Sequence, residues 1–371
     1  MKIKILFVAS EFTSGMIPFA STIIKTLSGD CRFEVYALVV NSGNNTYKNV
    51  LKGLDKAHLF QIEYPKNKIK KLIYKFYPVS IIQALKEKEK IIKPDIIHLL
   101  TGDFSFAPYM LLHKPSNKFY YTVHDLHPHE LKSSSKATIM LRKYIDWGYR
   151  ILRDRMNNLT TSSQSQFEEL KKIYPNKNIS FTHFPTLVTE EIKEGNMKVP
   201  ELKNDKDYIL FWGAVNVYKG VDLLIKAYLN SEKLKCSKLV IAGIGLDYSD
   251  LIRKDKNIIR INRFLDDAEI KDLFDKALFV VYPYRAATMS GVLSIAYYFK
   301  KRVLLSNVPF FIDNKAVAST FFECGDTKSL QVQMELLASG KDAARNLSGC
   351  YEEIYSNKTL VEDYCKLYLV Q

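Results

Sequence analysis

Short apolar runs recur along this chain, separated by stretches of helical period. Residues 4–9 (KILFVA), 33–40 (FEVYALVV), 58–64, 94–100, 119–123 (FYYTV), 158–163 (NLTTSS) and 179–184 are rich in β-branched and aromatic residues. Runs of this kind, without strict polar–apolar alternation, predict strands buried on both faces of a parallel sheet. Between them, residues 17–27, 107–113, 141–156 and 165–174 set apolar positions at helical spacing. Strand and helix in alternation predict an α/β domain with a doubly wound sheet over residues 1–188. No GxGxxG follows the first strand, so a dinucleotide fingerprint is absent.

Residues 189–206 are charged, carry Gly195 and Pro200 and lack periodicity, which predicts a linker. The alternation then restarts for a second domain, 207–351. Its expected strands are 208–212 (YILFW), 239–242 (LVIA), 258–262, 278–283 and 302–305, with helices over 221–228 and 328–338. Asp266 or Asp267 followed by Glu269 forms a capping signal for a further helix that runs to Ala277. Residues 343–368 read as mostly helical, and 352–371 are expected to pack back on the first domain. A length of 371 residues suits two domains. The expected fold is α/β: two Rossmann-like, doubly wound domains facing each other across a cleft.

Candidate chemistry gathers at two strand ends. In residues 280–293 (VVYPYRAATMSGVL), strand, polar loop and helix start would present unpaired backbone N–H groups to an anion. Arg285 adds a fixed charge, Thr288 and Ser290 add hydroxyls, and Gly291 permits close approach of a phosphate. The stretch suits a diphosphate cradle; the plainer reading is a strand-to-helix turn with a solvated Arg. In the first half, strand 119–123 delivers His124-Asp125-Leu126-His127-Pro128-His129 at its C-terminal end, where open α/β sheets bind ligands. His124 suits an acid/base or donor-contact role, set against a pair, His124-Asp125, that merely caps the strand. Histidines with a single Asp make a thin metal site, so no metal is expected.

A net charge of +14 asks for an anionic partner: nucleic acid, an acidic lipid surface or a phosphorylated small molecule. The most basic stretch is 66–93, where Ile69, Leu72, Ile73 and Phe76 fall at helical spacing with lysines between them. It reads as a crossover helix with a solvated lysine face, or as a helix that rests on an acidic bilayer. No nucleic-acid motif accompanies the charge, and nucleic acid is not an expected partner. Five dispersed cysteines without CxxC suit reduced thiols. The N-terminal apolar run is of strand length rather than signal-peptide length, and no run reaches spanning length. The expected location is cytoplasmic, with peripheral contact on the inner membrane face as an extension of that reading.

Four segments of the second half carry a family resemblance: Phe211-Trp212-Gly213-Ala214 through Lys219-Gly220 to Ala227, Ala242-Gly243-Ile244-Gly245, residues 262–270 (NRFLDDAEI), and residues 284–292 (YRAATMSGV). In order and spacing they resemble the donor domain of retaining GT-B glycosyltransferases of the "glycosyl transferases group 1" family, in the branch that reads PYRxATxSGV. The resemblance spans roughly residues 208–306. In the first half, Asp95-Ile96-Ile97-His98 and Thr122-Val123-His124-Asp125 stand where that family has DVVH and TxHD strands, the latter His near the transferred sugar.

The resemblance implies a nucleotide diphosphate sugar as donor, UDP favoured over GDP by family frequency, and no cofactor. Lys219, with the loop after Gly213 and its Asn216, would neutralise the leaving diphosphate, while Thr288, Ser290 and Gly291 hold its other oxygens. Gly15, Gly243, Arg263, Phe264 and Arg285 complete the donor set, His124 and Asp125 join Lys219 as catalytic, and His127 and His129 lie on the acceptor side. No DxD motif is read as a metal site. The implied reaction is retaining, metal-independent transfer to a saccharide or lipid-linked saccharide in surface polysaccharide (capsule or O-antigen) synthesis. Two departures stand out. Ala214 replaces the family's loop Arg, for which Arg285 or Arg263 would substitute, and Ala287 and Ile295 replace its paired glutamates, which puts ribose binding in question. Alternatives are a catalytically silent subunit that scaffolds or activates a partner enzyme, sugar-nucleotide epimerisation, and phosphorolysis. Oligomeric state stays open.

Overall fold

The computed structural model describes residues 2–10, 16–41, 54–55, 57–116, 118–127, 136–203, 205–340 and 346–369. They form two units, Met1–Pro185 with Asn357–Gln371, and Thr186–Ser356.

In the first unit the apolar runs become β1 (Ile3–Ala9), β2 (Phe33–Asn41), β3 (Leu59–Glu63), β4 (Ile96–Leu99), β5 (Phe119–Thr122), β6 (Asn158–Thr161) and β7 (Asn178–Phe181). All pair in parallel, in the order β3-β2-β1-β4-β5-β6-β7. Residues 5 to 9 of β1 are wholly buried, as helices on both faces of a parallel sheet require. Strand order reverses between β1 and β4, so loops leaving these strands diverge and open a crevice at their C-terminal ends.

The second unit repeats the plan with β8 (Tyr208–Trp212), β9 (Leu239–Ala242), β10 (Ile258–Ile261), β11 (Ala277–Tyr282), β12 (Val303–Ser306) and β13 (Ser319–Phe322). Their order is β10-β9-β8-β11-β12-β13, with the reversal between β8 and β11. β13 is too short and mixed in sequence to announce itself; it is recruited by parallel pairing with β12.

Three expectations change. Residues 189–206 are not a free linker. Glu190–Glu194 is a helix, Val199 and Leu202 are buried, and the Val199 N–H donates to Asp272 at 3.1 Å within the second unit. The basic stretch is two helices, Lys68–Phe76 and Val79–Ile92, parted at Pro78, whose ring cannot continue the first. The C-terminal stretch also splits, into Cys350–Tyr355 and Asn357–Leu369, with extended Ser356 between. Only Asn357–Leu369 joins the first unit, where the Tyr368 hydroxyl shares a 2.5 Å hydrogen bond with buried His98 of β4. Among the described residues, no helix is long and apolar enough to cross a membrane.

Candidate functional site

At the C-terminal edge of the second sheet, β8 runs out through Gly213 into a 3-10 turn, Val217–Lys219, capped by the Asn216 carbonyl, which accepts from the Lys219 N–H at 3.0 Å. Gly220 closes the turn at φ 65; a Cβ there would lie 2.0 Å from the Pro283 carbonyl, so only glycine lets this turn seat on the end of β11. That seating turns Lys219 inward. Its side chain is 8 % exposed, its Nζ donates to the Tyr284 hydroxyl at 2.8 Å, and it lies over the Tyr284 and Tyr218 rings. Burial lowers its pKa. Among the described residues, no carboxylate stands within ion-pair distance of this ammonium. Ser290 lies beside the Tyr284 hydroxyl, and Gly291 caps the helix Val292–Tyr298. A buried cation, the Tyr284 hydroxyl that solvates it and a helix start thus converge between β8 and β11, with Thr288 half-buried in the same loop.

The first unit carries its own concavity, of about 130 Å³, lined by Met16, Gly102, Tyr121, His124, Asp125 and Tyr149. His124 follows β5; its Nε2–H donates to the Leu100 carbonyl at 2.7 Å, leaving Nδ1 as the acceptor nitrogen. Nδ1 is buried and has no hydrogen-bond partner among the described residues. Burial, acting against the Leu100 carbonyl and Asp125, lowers the His124 pKa, so the neutral ring is favoured. Gln166 steadies the loop, its Nε2 donating to the His124 carbonyl at 3.1 Å and its Oε1 accepting from the Leu126 N–H at 2.6 Å.

Residues 206–339 match the family described as glycosyl transferases group 1. The second unit is a group 1 glycosyl transferase domain. Three solved structures cover the whole of this chain. They are Anabaena HepE in complex with UDP (TM-score 0.70, 12 % identity, 100 % of that chain), sucrose-phosphate synthase from Thermosynechococcus elongatus (0.69, 13 %, 100 %) and a UDP-N-acetylglucosamine 2-epimerase (0.61, 15 %, 97 %). At these identities the likeness is one of fold, the GT-B fold, and that fold serves an epimerase as well. Among curated proteins none matches the chain by sequence.

Within the glycosyl transferase domain, the two arginines named as substitutes for the missing loop Arg are already engaged. Arg285 makes a bidentate pair with Asp222, at 2.8 and 2.7 Å, and donates to the Val217 carbonyl at 2.8 Å. Its charge holds the Lys219 turn in place. Arg263 lies between Glu201 and Glu269, with four contacts of 2.7 to 2.9 Å. Two carboxylates around one guanidinium leave a net negative cluster that would repel a phosphate. Gly243 has its N–H bound to the Ile261 carbonyl. Phe264 is 67 % exposed and free to meet a flat ligand face. Ile295, at the position of the family's second glutamate, is buried in the core. The triplet Asp205-Lys206-Asp207 spells DxD, which the sequence reading passed over. It precedes β8, at the sheet edge opposite Lys219, and Asp205 pairs with Lys238 at 2.6 Å.

In the first unit His127 is drawn to Glu169 on the surface, at 2.7 Å, rather than toward the concavity. Gly15 and His129 lie outside the described residues. Sequence reasoning missed Tyr284 and Asp103. Asp103 is fully buried at φ 56, accepts from the N–H and hydroxyl groups of both Ser10 and Thr101, and so ties the ends of β1 and β4 together beside the concavity. Its one sequence signal is a Thr-Gly-Asp turn just past a strand.

Proposed function

We propose that this glycosyltransferase transfers a sugar from a nucleotide diphosphate sugar, UDP-linked by preference, to a saccharide acceptor. The observation that carries the reading is Lys219, a buried ammonium whose surroundings offer a hydroxyl and aromatic rings but, among the described residues, no counter-charge. Such a cation is stabilised by an arriving diphosphate, and its pull grows as negative charge develops on the leaving group. We assign the remaining diphosphate oxygens to Ser290, Thr288 and the N–H groups around Gly291. With leaving-group charge met by Lys219, we read the transfer as metal-independent, and the family resemblance supports reading it as retaining. The lone acceptor nitrogen of His124 suits a hydroxyl of the transferred sugar or of the acceptor. A lipid-linked acceptor in surface polysaccharide synthesis completes the reading.

Thermal shifts with UDP, GDP, ADP, UMP and GMP, each with and without EDTA, test it. UDP should raise Tm most, EDTA should leave the shift unchanged, and Lys219→Ala should weaken diphosphate binding roughly 10- to 100-fold. No shift with any diphosphate would instead favour a catalytically silent subunit, for which Ala214, Ala287 and buried Ile295 would be the explanation.

A further inference from the structure

The helix Lys68–Phe76 presents its apolar stripe outward. Ile69, Leu72, Ile73 and Phe76 stand at i, i+3, i+4 and i+7, on one face, and are 69, 57, 53 and 45 % exposed. Tyr74, on the other side of the helix, is its buried residue and meets Tyr64 edge-on. The stripe continues onto a second helix, Lys136–Arg155. Phe76 packs on Tyr144 with ring centroids 4.7 Å apart, and the Tyr144 hydroxyl donates to the Phe76 carbonyl at 3.0 Å. Met140, one turn before Tyr144 on the same face, is 76 % exposed.

Charge frames this surface. Lysines 68, 70 and 75 flank the stripe on its helix, Lys66 precedes it, Lys71 lies over the Tyr64 ring behind it, and no acidic residue occurs from Tyr64 to Lys86. Among the described residues, none of the five is within ion-pair distance of a carboxylate.

We infer that this face docks on an anionic lipid bilayer, with the helix lying in the plane of the headgroups. A helix of nine residues is about 13 Å long, suited to lying in the interface rather than spanning it. An acidic membrane surface offers both a non-polar phase for four large side chains and negative charge around them. Self-association through the same face would set the lysines of one copy against those of the next. The inference bears on the lipid-linked acceptor proposed above, yet it rests on residues remote in sequence from the donor site and stands or falls separately.

The test is co-sedimentation of the full chain with phosphatidylcholine vesicles, with and without phosphatidylglycerol. Binding should require phosphatidylglycerol and weaken with added salt. Leu72→Ser combined with Ile73→Ser should lower partitioning at least about tenfold. Lys68→Gln and Lys70→Gln should each lower it about fivefold on anionic vesicles. All four positions are exposed, and the UDP thermal shift of each variant reports that fold and donor site are intact. Absence of binding to anionic vesicles, or binding indifferent to the Ser pair, overturns the inference. So does a dimer in sedimentation equilibrium that the Ser pair dissolves while vesicle binding is nil. Loss of the UDP shift with vesicle binding intact would instead remove the donor reading alone.

Discussion

An ammonium out of water must be solvated by something, and for Lys219 that is the Tyr284 oxygen together with two aromatic faces. These groups hold the charge less well than water does, so the pKa falls. A bound diphosphate would restore it, and diphosphate affinity should therefore decline as pH rises through the Lys219 pKa of the free protein. Tyr284→Phe keeps the ring but deletes the acceptor oxygen, so the ammonium is destabilised further. We expect UDP affinity to drop about tenfold and the pH at which binding fades to move downward, as read by calorimetric titration across pH. An unchanged pH profile would take Tyr284 out of the site.

At the scale of elements, the cradle depends on how closely the exits of β8 and β9 run together. The Gly213 N–H donates to the Ala242 carbonyl at 2.9 Å, and Val215 forms a bridge with Gly245. Gly243 makes this approach possible: it sits at φ 135, and a Cβ would fall 2.2 Å from the Gly213 carbonyl oxygen. Gly243→Ala should cost about 2–4 kcal/mol through strain and displacement of the β8 exit. Urea denaturation would show it as a lower midpoint, and the UDP thermal shift should shrink with it. The Arg285–Asp222 pair serves the same element from the other side, binding the Lys219 turn to the loop after β11.

For the molecule as a whole, acid is the weak flank. His98 is fully buried in β4 between Thr122 and Tyr368, and burial, then neighbouring His124, holds its pKa down to about 3 from an ordinary 6.5. In that window the unfolded chain binds a proton that the folded chain refuses, so stability increases with pH. Chemical denaturation should show stability lost as pH falls from 6.5 toward 3, by up to about 1.4 kcal/mol per pH unit from this residue. His98→Gln should flatten the dependence; an equally steep profile in that variant would assign the acid sensitivity elsewhere. Because Tyr368 belongs to Asn357–Leu369, the C-terminal helix should loosen with it, visible as faster amide exchange.

Much of this protein is legible in its sequence. Continuous apolar runs divided by helical periods dictated two doubly wound sheets, because burial on both faces of a strand leaves a mark that needs no long-range knowledge. Ser290 and Gly291 were named from a strand–loop–helix passage, which is a local feature, and Lys219 from the family resemblance. What the tertiary structure alone decided is which charges remain available. Arg263 meets Glu201 from 62 residues away and Arg285 meets Asp222 from 63, so each guanidinium already has a carboxylate partner that no local pattern announces. Tyr284 meets Lys219 from 65 residues away, and the stripe on Lys68–Phe76 turned outward because Tyr64 and the first unit's core hold Tyr74 instead. Periodicity states that a helix has an apolar face. Which way that face points, and which ions meet across a sheet edge, is set by how the strands are ordered and how their loops pack.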